Sequence, residues 1–185
     1  MNLEKSIEFG MSIAIVGNAK SILNTQNGSE IDAADTVVRM NRGFPKKIRS
    51  QGAKTDVLAL SCALEEKYYN KYFSQSSLMW MTPKMDNIPA WVHSSQPQYY
   101  PLPYWEKLYK SLNSSRPSTG AMTIDYICNY IQPQKLRIYG FDFKTTPTLY
   151  ESKMKLGPHN WSIEEQFVSA IIQHAQSNGK NWTIV

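Results

Sequence analysis

Four short stretches of this chain carry side chains whose types and spacing could do chemistry. Pro117-Ser118-Thr119-Gly120 lies between a polar loop and the apolar run Ala121 to Ile131. Proline fixes its own φ, hydroxyls can cap orphan amides, and glycine lets the backbone approach a ligand closely. The tetrapeptide therefore predicts a helix N-terminus able to receive a phosphate or carboxylate, although a plainly capped helix would use the same residues. His159 stands just ahead of a strongly periodic run to Gln176, and Ser162 with Glu165 three residues on has the capping-box pattern, which predicts a helix start at Ser162. The positive end of that helix would disfavour the imidazolium and leave a neutral ring able to take a proton; a surface or capping histidine is the plainer alternative.

The other two stretches are strand ends. Ser12 to Val16 is a short β-branched run closed by Gly17-Asn18, and Thr36 to Met40 is a second one closed by Asn41-Arg42-Gly43. In an open α/β sheet the crevice at the carboxyl ends of the strands is where a nucleotide lies, with turn amides facing it. Asn41 could offer its amide to a sugar or base there, or serve only as a turn former.

The elements that must position these residues follow the same alternation. Further strands are expected at 55–60, 78–81, 135–139 and 182–185, with helices at 64–73, 104–112 and 121–131. Strands alternating with helices imply an α/β fold: a Rossmann-like, open, mostly parallel sheet with helices on both faces. The chain reads as a single domain, residues 1–185, with 1–10 as a loose N-terminal arm. Residues 85–103 have no period and read as a long loop. Its aromatic neighbours, Trp91, Tyr99, Tyr100, Tyr104 and Trp105, would either form a platform for an acceptor sugar or pack the loop onto the sheet.

Composition narrows the classes. With 42% apolar and 19% charged residues, 185 residues can build a packed core. A net charge of +5 suits an anionic partner, but the basic residues are scattered, the densest group being Arg39, Arg42, Lys46, Lys47, Arg49 and Lys54. A nucleic-acid binder is the weakest of the readings. No run approaches a bilayer span and no leader pattern opens the chain, so a cytoplasmic protein, or a piece without its anchor, is expected. Cys62 and Cys128 are far apart, and neither they nor His93, His159 and His174 show a metal-ligand spacing. Metal dependence is not expected.

Taken together, these segments resemble the sialylmotifs of glycosyltransferase family 29. Ile15-Val16-Gly17-Asn18, Ile31-Asp32-x-x-Asp35, Val37 to Asn41 and Gly52 to Asp56 are similar to the long motif. Pro117 to Gly120 with Ile138-Tyr139-Gly140-Phe141 resembles the short one, and His159 with Glu164 resembles the His-x-x-x-x-Glu motif. The resemblance implies a metal-independent, GT-A-like variant of the nucleotide-sugar Rossmann architecture and an inverting transfer of sialic acid from CMP-sialic acid to a glycan hydroxyl. It implies donor contacts from Gly17, Asn18, Asn41, Ser118, Thr119 and Gly120, with His159 as general base and Tyr150 and Glu164 beside it. No cofactor is implied beyond the CMP-sugar substrate. The family's animal members carry a cysteine pair that this chain lacks, and its third motif is reduced here to Tyr150-Glu151, so a bacterial or viral relative is expected. Such a protein would act on a glycan or lipo-oligosaccharide at the inner face of a membrane, with room for peripheral association; its oligomeric state is left open. The alternatives are a CMP-Kdo-dependent transferase of lipopolysaccharide or capsule synthesis, and a non-catalytic nucleotide- or glycan-binding module.

Overall fold

The computed structural model describes residues 7–86 and 88–185. Strands β1 (Ser12–Val16), β2 (Thr36–Met40), β3 (Val57–Leu60), β4 (Ser77–Trp80), β5 (Gln98–Tyr99), β6 (Lys135–Tyr139) and β7 (Asn181–Ile184) form one sheet in the order β5-β4-β3-β2-β1-β6-β7. Every strand pair is parallel. The central strands read as nearly unbroken apolar runs because both faces are covered: all of β2 and β3 is buried.

Helices α1 (Gly28–Asp32), α2 (Ile48–Gln51), α3 (Glu66–Tyr72), α4 (Ala90–Ser94), α5 (Leu102–Ser111), α6 (Thr119–Tyr126) and α7 (Trp161–Ser177) supply the cover. The pleat sorts the core. Ile13, Ile15, Val38, Met40 and Ile138 face one side and pack with Leu108 of α5, Met122 and Ile124 of α6, and Val168 and Ile172 of α7. Ala14, Val16 and Val37 face the other side with Ile22 and Ile31. Leu58, Leu60 and Trp80 pack there with Leu64, Phe73 and Val92. This is the three-layer α/β arrangement expected from the alternation.

Several expectations change. Residues 85–103 are not one structureless loop: α4 and the two-residue β5 lie within them, and the rings pack inward. Trp91 Nε1 donates to the Leu64 carbonyl at 2.9 Å, Tyr100 donates to Asp125 at 2.6 Å, and Tyr104 stacks on Tyr130 at 3.6 Å. The aromatic platform is therefore a packing device, since buried amphipathic rings gain both area and a partner for their polar tips. Met1 to Ser6 of the expected arm lie outside the described residues, whereas residues 7–10 are tied down, with Ile7 N donating to Gln98 Oε1 and Gly10 N to Thr36 Oγ1. The apolar run after Gly120 is helical only to Tyr126 and continues as a π-helical turn over Ile127–Ile131, ending at Gln132 with φ of 54°. Among the described residues no helix is long and apolar enough to cross a membrane.

Candidate active site

The sheet order reverses between β1 and β6, and the crevice of an open α/β sheet forms at such a switch point. A cavity of about 360 Å³ opens there. All of the residues singled out from the sequence line it: Gly17 and Asn18 after β1, Asn41 after β2, Ser118, Thr119 and Gly120 at the start of α6, Tyr150 in the loop after β6, and His159 and Glu164 at the start of α7. Residues over 140 positions apart in sequence share one cavity because parallel strands deliver every carboxyl end to the same edge.

Two glycines are steric requirements of this cavity. A Cβ on Gly17 would press on the Gly140 carbonyl and come within 2.7 Å of the Phe141 ring, and one on Gly120 would come equally close to that ring. Only glycine lets the β1 turn, the β6 turn and α6 meet.

The α6–α7 junction is knitted by Glu164. Its Oε1 accepts from the Ser118 amide at 2.7 Å and its Oε2 from the Ser118 hydroxyl at 2.6 Å, while the same hydroxyl oxygen caps the Ala121 amide at 3.0 Å. Glu164 is 2% exposed, and burial raises its pKa above the ordinary value even though Ser118 pulls it down. With both oxygens committed, Glu164 is placed to hold the α6 N-terminus. The expected open Ser118 amide is thus already occupied, and the amides of Thr119 and Gly120, the first two residues of α6, remain without a hydrogen-bond partner among the described residues. Asn41 adds a second tie: in the left-handed region at φ 48°, which asparagine tolerates, it donates to Thr119 Oγ1 at 3.0 Å and accepts from the Ser61 amide at 2.9 Å.

His159 is held from one side. Its Nδ1 lies 2.9 Å from the Arg116 carbonyl, which can only accept, so Nδ1 carries the proton and Nε2 of the neutral ring keeps its lone pair. Burial lowers its pKa below the usual 6.5; the charges of Arg116 and Lys144 push the same way, and the bond to the carbonyl opposes them. The ring meets Trp161 edge-on at 5.1 Å, and the Lys144 ammonium lies 5.5 Å from the centre of the Trp161 ring. The capping box is not the device that starts α7. Asn160 is the cap, its side chain accepting from the Ile163 amide at 3.3 Å, so the helix begins one residue before Ser162. Asparagine ranks with serine as an N-cap, and capping at Asn160 satisfies the Ile163 amide in place of the Glu165 amide that Ser162 would have taken.

The opposite wall is looser. Asn18 donates to the Met40 carbonyl at 3.0 Å, but its Oδ1 is buried without a partner among the described residues. Tyr150 is 45% exposed; partial desolvation chiefly raises its pKa, a contact with Asn18 opposing it. The loop carrying Tyr150 is fastened to the β1 turn by Leu149 N to the Asn18 carbonyl at 2.8 Å and Lys20 N to the Pro147 carbonyl at 2.9 Å. Within it Glu151 gathers Thr148 at 2.6 Å, Lys144 at 3.5 Å and Lys155 at 3.8 Å, which keeps its carboxyl below the ordinary range. Lys144, Phe141 and Trp161 were not foreseen as site residues; only the position of Trp161, two residues after His159, could have signalled it. Among the described residues no three His, Cys, Asp or Glu side chains gather as a metal site.

Comparison with known proteins bears on this geometry. Residues 11–96 match the family model for glycosyltransferase family 29 (sialyltransferase). That stretch carries Gly17, Asn18 and Asn41 and stops before α6. No curated protein matches in sequence. Among solved structures, a mammalian sialyltransferase in complex with Gal-beta-1-3GalNAc-ortho-nitrophenol is similar at a TM-score of 0.65 and 17% identity, over 94% of this chain and 68% of that one. The sialyltransferase CstII from Campylobacter jejuni, in complex with the substrate analogue CMP-3FNeuAc, is similar at 0.62 and 14% identity, over 95% of this chain and 81% of that one. At such identities the likeness establishes the fold, a Rossmann-like α/β sheet shared with sialyltransferases.

Proposed function

We propose that this chain is a glycosyltransferase that moves a sialic acid from CMP-sialic acid to a hydroxyl of a glycan acceptor, with inversion at the anomeric carbon and without a metal ion. The family match and the shared fold support a transferase using a CMP-sugar. The observation that carries the site assignment is the convergence, in one switch-point cavity, of a histidine with a free Nε2 lone pair and a helix N-terminus with two unpartnered amides.

The chemistry follows from those groups. The acceptor hydroxyl gives its proton to His159 Nε2 as its oxygen attacks the anomeric carbon. The bond from that carbon to the CMP phosphate breaks on the opposite face, and the phosphate leaves with the electron pair, which inverts the centre. Negative charge growing on the phosphate is received by the Thr119 and Gly120 amides and the positive end of α6, with the Tyr150 hydroxyl and the Lys144 ammonium nearby. Asn18, whose buried Oδ1 has no partner among the described residues, takes a hydrogen bond from the nucleoside. Glu164 and Asn41 act as positioning residues that fix the α6 N-terminus.

The test is release of CMP from CMP-Neu5Ac in the presence of a galactose-terminated oligosaccharide and EDTA, with CMP-Kdo in parallel and the product anomer read by NMR. Transfer from CMP-Neu5Ac with inversion is expected. Retention of configuration, turnover of CMP-Kdo alone, or no transfer from either donor would each overturn the assignment.

A further inference from the structure

Part of the positive charge that looks scattered in sequence lies close together in the fold, in residues 42–49 and on the neighbouring α3. Arg39 is buried within the sheet, donating to Gln51 O at 2.7 Å and to Lys54 O and Thr55 Oγ1, and Lys54 is spent on the Ala34 and Asp35 carbonyls and on Asp56. What remains of the basic segment is Arg42, Lys46, Lys47 and Arg49. All four are exposed and none forms an ion pair among the described residues.

This segment rests on α3. Phe44 stacks on Tyr72 at 4.6 Å and leans on Tyr68 at 5.5 Å, and the ammonium groups of Lys46, Lys67 and Lys71 lie within 5.0–5.7 Å of the centres of these rings. The aromatic base therefore holds cations from two elements on a single face. Residues 42–49 and 65–72 together carry six basic residues against two carboxylates, Glu65 and Glu66, the former paired with Lys67, a surplus of four. In the middle of the unpaired cations sits Ile48, 60% exposed. A lone exposed aliphatic needs no explanation, but one flanked by Lys46, Lys47 and Arg49 at the start of a short helix has the make-up of a membrane-surface element: cations that meet lipid headgroups around a side chain that enters the acyl boundary.

We infer that the face formed by residues 42–49 and α3 docks on an anionic bilayer. Its reach to the cavity is short, since Arg42 follows Asn41 directly and its charge is felt at Tyr150 and Cys62. Docking would hold the cavity mouth near the membrane and so favour acceptors presented on lipids. An acidic oligosaccharide could meet the same cations, but it has no use for Ile48 at the centre.

The test is co-sedimentation of the full chain with vesicles of phosphatidylcholine alone or with 30% phosphatidylglycerol, as a function of salt, using K46Q/K47Q/R49Q and I48S variants checked for folding by circular dichroism. Each basic residue near an anionic surface adds about fivefold in partition, so binding confined to the phosphatidylglycerol vesicles and about a hundredfold weaker in the triple variant is expected. A several-fold loss in I48S should accompany it, with transfer to a soluble acceptor unchanged in both. Equal binding to both vesicle types, unchanged binding of the triple variant, or binding of a soluble anionic oligosaccharide but not of vesicles would overturn the inference. Because the readout is lipid binding, its failure leaves the donor assignment untouched.

Discussion

The two walls of the cavity are built differently. At the α6–α7 junction the groups that shape the site are tied to the protein: Glu164 spends both oxygens on Ser118, Asn41 ties Thr119, and the Arg116 carbonyl orients His159. On the β1 side a buried oxygen of Asn18 has no partner among the described residues and Tyr150 is half open to solvent. On the proposed function, the difference separates reaction from recognition. Groups that must act on a developing charge are fixed in advance, while groups that read a substrate keep capacity that only the substrate fills.

Substitutions on the two walls should therefore fail in different ways. The largest effect belongs to His159→Ala, which should cut kcat by roughly a hundredfold or more while the affinity for CMP changes by less than about threefold; steady-state kinetics beside calorimetry would separate the two. Next is Ser118→Ala, which removes a helix cap and strips a buried carboxylate of one partner. A loss of about 2–3 kcal/mol is expected in denaturant unfolding. On the other wall, Asn18→Ala should weaken CMP binding by about tenfold with a smaller effect on stability, and an unchanged Kd would remove Asn18 from the donor site.

Two pH effects are finer. Glu164 is held protonated to higher pH in the folded state than in the unfolded chain, so its contribution is full below pH 4.5 and lost as pH rises through its raised pKa. Buried Asp125 has the same sign, so the comparison that isolates Glu164 is the stability of wild type against Glu164→Gln, whose curve should fall less steeply above pH 4.5. Smallest is Lys144→Met. With one repelling charge gone, the acid limb of the kcat/KM profile should move up toward 6.5, and a limb that stays in place would uncouple Lys144 from His159.

How much of this was legible follows from the kind of force at each place. Strands such as Thr36–Met40 and Val57–Leu60 declare themselves because both faces are buried and the sequence has no room for polar alternation. The candidate site residues could be singled out only by their joint order, since a glycine turn, a capping serine or a histidine before a helix each has a plainer structural use. What they bond to was not. That Glu164 would turn back onto Ser118, 46 residues away, depends on the packing of α6 against α7, and no local pattern records it. Residues 85–103 misled for the opposite reason: prolines and polar residues hid α4, whose only buried residue is Val92, and β5, which is set by pairing with β4 rather than by propensity. The basic cluster was visible, but only the fold separates the structural Arg39 and Lys54 from the surface cations of residues 42–49.

The central claim is that the switch-point cavity is a metal-independent site for a CMP-activated sugar. Its most direct test is calorimetric titration of the purified protein with CMP, UDP and GDP, each with and without EDTA. Binding of CMP alone, unchanged by the chelator and weakened in Asn18→Ala, is the predicted result. No binding of CMP, a preference for UDP or GDP, or loss of binding on chelation would contradict the account.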